Sequence, residues 1–357
     1  MALSKAQKEA VMHREGPAIV LAGPGSGKTT VITERTKFLT QQCGVLPIHI
    51  LVVTFTRAAA QEMQKRFLAL TDSRQTQIRF GTFHSLFFEI LRHAYHYTGA
   101  NIASEEEKYR FLREITAPMD IEIEDEAEFL HDVAREISRV KNERIPLEHY
   151  YAASVPEELF REIYRKYCRG MERAGKLDYD DLMVYTWELF SARPDILAGW
   201  RNRFRYILVD EFQDINRLQY DIIKLLAAPR NNLFVVGDDD QSIYRFRGAK
   251  PEIMLNFPKD FPQAKQYLLD CNFRCPGNVC DLAAHVIGRN TVRYEKKIRK
   301  VKEDGLPVEK IIFQDQQQES LGIIQRIQKA LAPLRRYCRS LPQQYRRRRA
   351  VPEAFGV

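Results

Sequence analysis

The stretch Leu21-Ala22-Gly23-Pro24-Gly25-Ser26-Gly27-Lys28-Thr29-Thr30 limits the fold more than any other part of the chain. It follows the apolar run Ala18-Ile19-Val20-Leu21 and precedes Val31-Ile32-Thr33-Glu34-Arg35-Thr36-Lys37-Phe38-Leu39, whose apolar residues fall at helical spacing. Strand, glycine-rich turn, Gly-Lys-Thr and helix is the local context of a phosphate-binding loop. Glycines let backbone N–H groups converge on phosphate oxygens, and the helix N-terminus adds partial positive charge. Lys28 is expected to reach the β- and γ-phosphates, and the Thr29 hydroxyl to ligate Mg²⁺. Ala22 stands where the consensus has its first glycine, which the later glycines make tolerable. A glycine-rich turn that binds nothing would not need Lys-Thr at this spacing.

Carboxylates follow two further apolar runs. Tyr206-Ile207-Leu208-Val209 leads into Asp210-Glu211-Phe212-Gln213-Asp214, and Leu233-Phe234-Val235-Val236 leads into Gly237-Asp238-Asp239-Asp240-Gln241. Acids directly after a buried strand cost free energy unless they bind something. Beside a phosphate loop the economical reading is Mg²⁺-nucleotide chemistry. Asp210 then holds the metal, Glu211 orients or deprotonates the attacking water, and Gln241 contacts the γ-phosphate.

The remaining organisation is α/β with a helical interruption. Residues 48–55 read as a parallel strand covered on both faces, ending in Thr54-Phe55-Thr56-Arg57. Residues 78–85 repeat the pattern and end in Gly81-Thr82-Phe83-His84-Ser85. These ends are where α/β sheets bind ligands, although His84 alone is more often structural. From 88 to 177 glycines thin out and apolar residues take amphipathic spacing, which predicts an all-helical insertion. Acids within 177–183 suit a helix N-terminus better than a metal. Tyr244-Arg245-Phe246-Arg247 alternates aromatics with cations, a pattern that fits stacking of single-strand bases; the bland alternative places both rings in a core. Gln7, on a short leading helix, could read an adenine edge or simply be solvated.

Composition excludes some classes. No apolar run approaches the roughly 18–20 residues that span a bilayer, and the N-terminus has no signal-peptide core, so a soluble, cytoplasmic protein is expected. Cys271, Cys275 and Cys280 lack paired zinc-type spacing and read as reduced thiols. The net charge is +8. Most of it sits after residue 334, where seven arginines meet one acid. The body is therefore weakly basic, and overall charge says little about nucleic acid.

In this order, the blocks resemble those of superfamily 1 DNA helicases of the UvrD/Rep type. The resemblance covers most of residues 3–280 and rests on Gln7, 22–29, 54–63, 81–85, 210–214, 237–249 and 272–274. It implies a RecA-like P-loop NTPase domain with a parallel sheet (1–87 plus 178–265), an all-helical insertion subdomain (88–177), a partial second RecA-like domain (266–334) and an Arg-rich tail (335–357). By family pattern Gln7 reads adenine, Phe273 stacks on it, and Arg274 reaches the γ-phosphate. Phe55, Tyr244 and Phe246 would stack single-stranded DNA, with Thr56, Thr82, His84 and Arg247 beside them. ATP and Mg²⁺ are the implied cofactors, single-stranded or partly duplex DNA the partner, and movement 3′ to 5′ the implied direction.

The departures are specific. Arg57-Ala58 replaces the usual Asn-Lys, Thr30 a frequent Arg, Phe246 a Trp and Phe273 a Tyr. The family's later motifs, including a second arginine finger, are not found in the sequence. A chain truncated in its second motor domain, with a frameshifted or disordered tail, is expected. A non-motor module binding ATP and single-stranded DNA, or an inert remnant, are the alternatives to a working helicase.

Overall fold

The computed structural model describes residues 3–119, 121, 124–242, 248–291 and 293–340. Tyr244, Phe246 and Arg247 lie outside the described residues. The chain divides into two units, Met1–Gly305 and Leu306–Val357.

The first unit is built on strands β1 (Ala18–Ala22), β2 (Ile50–Thr54), β3 (Arg79–Thr82), β4 (Tyr206–Val209), β5 (Leu233–Gly237) and β6 (Lys265–Leu269). They pair in parallel in the order β3-β2-β4-β5-β1-β6. Three of them, β1, β2 and β5, are buried throughout, as a sheet covered on both faces requires. Strand alternation sorts their side chains into two cores. Ile19, Leu21, Leu51, Val53, Ile207, Val209 and Val235 face one. Ala18, Val20, Ile50, Val52, Leu208, Phe234 and Val236 face the other. The sheet is the α/β, RecA-like architecture expected from the sequence.

Helices α1 (Lys5–Val11), α2 (Lys28–Gln41) and α3 (Arg57–Thr71) cover the second face. Buried Arg35 on α2 donates to the carbonyls of Val11, His13 and Arg14 and lies 4.3 Å over the Phe234 ring, tying the N-terminal segment to the sheet. Desolvation pulls the Arg35 guanidinium down to about 10.

Helix α4 (Phe83–Tyr95) leads into the insertion, helices α5 (Glu105–Thr116), α6 (Glu126–Glu143) and α7 (Glu157–Arg173). These bury their own core, including Leu112, Leu130, Val133, Ile137, Phe160 and Ile163. The chain returns to the sheet through α8 (Tyr179–Ala192), α9 (Pro194–Arg203), α10 (Arg217–Ala227) and α11 (Pro251–Asp260). The acids of residues 177–183 cap the helix and brace it against its neighbours. Asp178 accepts from the Asp181 backbone N–H at 2.8 Å at the start of α8. Lys141 Nζ donates to Asp178 at 2.8 Å and Asp181 at 2.7 Å, and Tyr167 OH donates to Asp178 at 2.9 Å.

Past β6 the first unit continues as β7 (Cys271–Asn272), α12 (Gly277–Ile287) and β8 (Arg299–Lys300), with β7 and β8 pairing in parallel. Cys271, Cys275 and Cys280 are free thiols. The second unit contains α13 (Gln316–Ser340). Among the described residues no helix is long and apolar enough to cross a membrane.

Candidate functional site

The site lies beyond the carboxyl ends of β1, β4 and β5, the edge where parallel sheets present their loops. After β1 the chain turns through Gly25 at φ +66° and Gly27 at φ +85°. Both angles are left-handed, which only glycine adopts without strain. Gly27 caps α2, so Lys28 and Thr29 open that helix with its free N–H groups facing the loop. Ser26 is buried, and its hydroxyl has no hydrogen-bond partner.

Lys28 Nζ forms an ion pair with Glu211 Oε2. Glu211 itself is left-handed, at φ +50° and ψ +43°, unlike most non-glycine residues. That kink directly follows β4 and turns the Glu211 carboxylate toward Lys28. Its neighbour Asp210 is buried, and Asp210 Oδ1 has no hydrogen-bond partner. Desolvation, reinforced by the Glu211 charge, pushes the Asp210 carboxyl up to about 7. The same two causes raise Asp214 to about 6.

Gln213 joins β4's loop to β5's. Its Nε2 donates to Glu211 Oε2 at 3.0 Å and Asp214 Oδ2 at 3.2 Å. Its Oε1 accepts from the Asp238 backbone N–H at 3.0 Å. Gln241 Nε2 in turn donates to Asp238 Oδ2. One hydrogen-bonded path therefore runs from Lys28 through Glu211, Gln213 and Asp238 to Gln241. Burial raises the Asp238 carboxyl.

Two more elements close on the loop. Gln7 of α1 is buried, donates from Nε2 to Ser26 O at 2.8 Å and accepts at Oε1 from the Ser4 backbone N–H at 2.8 Å. Both ends of the amide expected to read adenine are thus engaged by protein. Residues 272–274 pack on Gly25: the Phe273 N–H donates to Gly25 O at 3.0 Å, and Asn272 Oδ1 accepts the Arg274 and Cys275 N–H groups at 2.8 and 2.9 Å. Phe273 is half-buried and Arg274 exposed.

Among the described residues expected to meet DNA, Phe55, Thr56, Thr82 and His84 also make local structural contacts. Phe55 packs on Phe83, ring centroids 5.2 Å apart. Thr56 caps α3, accepting from Ala59 N–H, and Thr82 caps α4, accepting from Ser85 N–H. The short strand read within 78–85, with Gly81-Thr82-Phe83-His84 at its end, is β3, and this capping box starts a helix at Phe83. His84 therefore sits in the first turn of α4, edge-on to Tyr179 at 5.3 Å. Burial lowers its imidazole below the ordinary value.

A model of the UvrD/REP helicase N-terminal domain matches residues 3–262. The chain belongs to this family. It is 38% identical over 314 residues to the putative ATP-dependent DNA helicase YjcD of Bacillus subtilis (strain 168), covering 85% of this chain and 40% of that protein. It is 37% identical over 303 residues to the ATP-dependent DNA helicase PcrA of Leuconostoc citreum, covering 83% of this chain and 40% of that one. Against the ATP-dependent DNA helicase Rep of Escherichia coli (strain K12) the identity is 35% over 305 residues, covering 84% of this chain and 45% of Rep. The chain thus spans well under two thirds of the length of these UvrD/REP relatives.

The fold brings further residues to the site that the motifs do not mark. Gln213 and Asp238 lay inside quoted motifs without a role. Lys296, Arg293 and Ile298 lay in a stretch with no motif, yet Lys296 meets Asp238 and Ile298 packs against Gly23. Nothing local in residues 293–298 marks those contacts.

Proposed function

We propose that the chain binds Mg–ATP and hydrolyses it as the ATP-binding motor part of a UvrD/Rep-type DNA helicase, moving 3′ to 5′ on single-stranded DNA in replication, repair or recombination in the cytoplasm. The observation that carries the reading is the pairing of Lys28 with Glu211 beside Asp210, whose buried oxygen lacks a partner. A buried carboxylate oxygen and a buried loop hydroxyl without partners are groups that a ligand would satisfy. Asp210 and Thr29 would hold the Mg²⁺, an oxygen-ligand set that suits this ion. The ion supplies charge neutralisation at the β- and γ-phosphate oxygens.

The chain's own groups carry the rest. Backbone N–H groups of residues 23–29 cradle phosphate, Lys28 leaves Glu211 for the β- and γ-oxygens, and the released Glu211 carboxylate takes up the attacking water. Gln241 contacts the γ-phosphate. Arg274 is assigned to the same phosphate, and Gln7 with Phe273 to the base. Phe55, Thr56, Thr82, His84, Tyr244, Phe246 and Arg247 are assigned to the DNA path. Residues 1–87 with 178–265 make the motor domain, 88–177 its helical subdomain, and 266–334 the start of a second motor domain.

ATP turnover by the 357-residue chain, with and without single-stranded DNA, tests this beside Lys28→Ala. Turnover stimulated by DNA and reduced by about two orders of magnitude or more in Lys28→Ala is expected. Nucleotide binding without turnover above that control would instead make the chain an ATP-binding module, and no nucleotide binding would overturn the reading.

A further inference from the structure

Asp238, Asp239 and Asp240 follow β5 as three consecutive acids, two of them buried. Unpaired, they would repel one another and any approaching phosphate. One buried cation reaches all three. Lys296 Nζ lies 2.6 Å from Asp238 Oδ1, 2.6 Å from Asp239 Oδ1 and 3.0 Å from Asp240 Oδ2, and its side chain is 0% exposed. Arg293 adds a contact to Asp240 Oδ2 at 2.7 Å, and the Tyr294 backbone N–H donates to Asp239 Oδ2 at 2.8 Å. Tyr294 OH anchors the segment on the carbonyls of Met254 and Leu255.

Asp238 is the branch point. One oxygen takes Lys296 and the other takes the amide of Gln241, while its backbone N–H reaches Glu211 through Gln213. A carboxylate held on both oxygens has a fixed orientation, so Lys296, which shares its oxygen with the Asp240 N–H at 3.3 Å, helps set where Asp238 presents Gln241. The same six-residue segment places Ile298 against Gly23 of the phosphate loop. Residues 293–298 therefore touch the loop that holds phosphates and reach, through Asp238, the residue assigned to the last of them.

We propose that Lys296 is a positioning residue that acts through Asp238 on Gln241 and so sets the preference for a nucleoside triphosphate over a diphosphate. The inference rests on the nucleotide reading above. Without Lys296, Asp238 loses the cation that fixes one of its oxygens, the post of Gln241 loosens, and Asp238 and Asp239 stand without a cation where the γ-phosphate arrives. The diphosphate, held by the loop itself, is indifferent to the change.

The test is equilibrium binding of mant-ADP and mant-ATPγS, with Mg²⁺, to the full chain and to Lys296→Met, Gln241→Ala and the double variant. Lys296→Met is expected to weaken mant-ATPγS about tenfold, the scale of one charge-assisted contact, and to leave mant-ADP unchanged. The double variant should match Gln241→Ala alone, because both substitutions remove one function. Should Lys296→Met fail to fold, the comparison is made in an Asp239→Asn, Asp240→Asn background, which removes the unbalanced charge but leaves Asp238 unheld. Equal weakening of both nucleotides, an unchanged ratio, or effects that multiply in the double variant would overturn the proposal. Loss of all nucleotide binding in the wild type would instead overturn the nucleotide reading, so the two failures are told apart.

Discussion

Glu211 occupies a backbone conformation that its side chain disfavours. A left-handed residue with a Cβ costs roughly 1–2 kcal/mol relative to the ordinary helical region, and glycine escapes that cost. At φ +50° the chain turns sharply after β4, and this turn sends the carboxylate to Lys28. Glycine should therefore be the better structural residue here and a useless catalytic one. Glu211→Gly is expected to be more stable than Glu211→Ala by about 1 kcal/mol, reversing the usual order of these residues. Urea unfolding of the two variants measures this, and an Ala variant of equal or higher stability would show that no strain is stored at this turn. Neither variant should hydrolyse ATP.

Among the elements, α6, α7 and α8 meet at a buried charge cluster. Lys141 comes from α6, Tyr167 from α7, and Asp178 and Asp181 from the start of α8. The Lys141, Asp178 and Asp181 side chains are no more than 9% exposed. Burial raises the Asp181 carboxyl to about 6, while the ammonium of Lys141 holds Asp178 down at about 2 despite its burial. Removing one partner from such a group leaves charge without compensation, whereas replacing the whole group with neutral side chains is often tolerated. Lys141→Met is expected to destabilise the chain by about 3–5 kcal/mol, and Lys141→Met with Asp178→Asn and Asp181→Asn to recover much of that. Thermal melting checks both. The helical insertion would then be joined to the helices that flank the sheet by geometry rather than by net ion-pair energy.

For the whole molecule, His13 links distant parts of the sequence. Its ring nitrogens lie 3.1 Å from Tyr267 OH and 3.0 Å from Gly16 O, joining the segment after α1 to edge strand β6. Burial lowers the imidazole below its ordinary value of 6.5. The unfolded chain therefore takes up the proton first, and stability linked to His13 is present above about pH 6.5 and falls away as pH drops through that value. The stability of the wild type relative to His13→Gln should shrink between pH 7.5 and 5.5. Urea titrations at the two pH values give the comparison, and a difference independent of pH would dismiss the linkage.

Across these scales, legibility follows the length of sequence that a contact spans. The phosphate loop, the acids after β4 and the capping role of Asp178 could be read from the sequence because each is fixed by the few residues around it. The parallel sheet was legible too, since β1, β2 and β5 carry unbroken apolar runs. The start of α4 is not legible, because the hydroxyls of Thr82 and Ser85 can serve a strand end or a capping box equally well. Lys296 was illegible for a different reason. Its partners Asp238, Asp239 and Asp240 lie far earlier in the chain, and no local pattern of lysines indicates which one is buried.

Strand β1 acquires its neighbours late. Ala18 pairs across the sheet with Phe234 on one side and Lys265 on the other, so the phosphate loop leaves a ribosome more than two hundred residues ahead of the strands that enclose it. At about 5–20 residues per second, many seconds separate emergence of the loop from arrival of the strands that flank it. During that interval β1 is an apolar segment with two open edges, the kind of segment that chaperones shield. Stalling translation before residue 233 would leave a nascent chain that carries the full phosphate-loop sequence but has no strand against which to shape it.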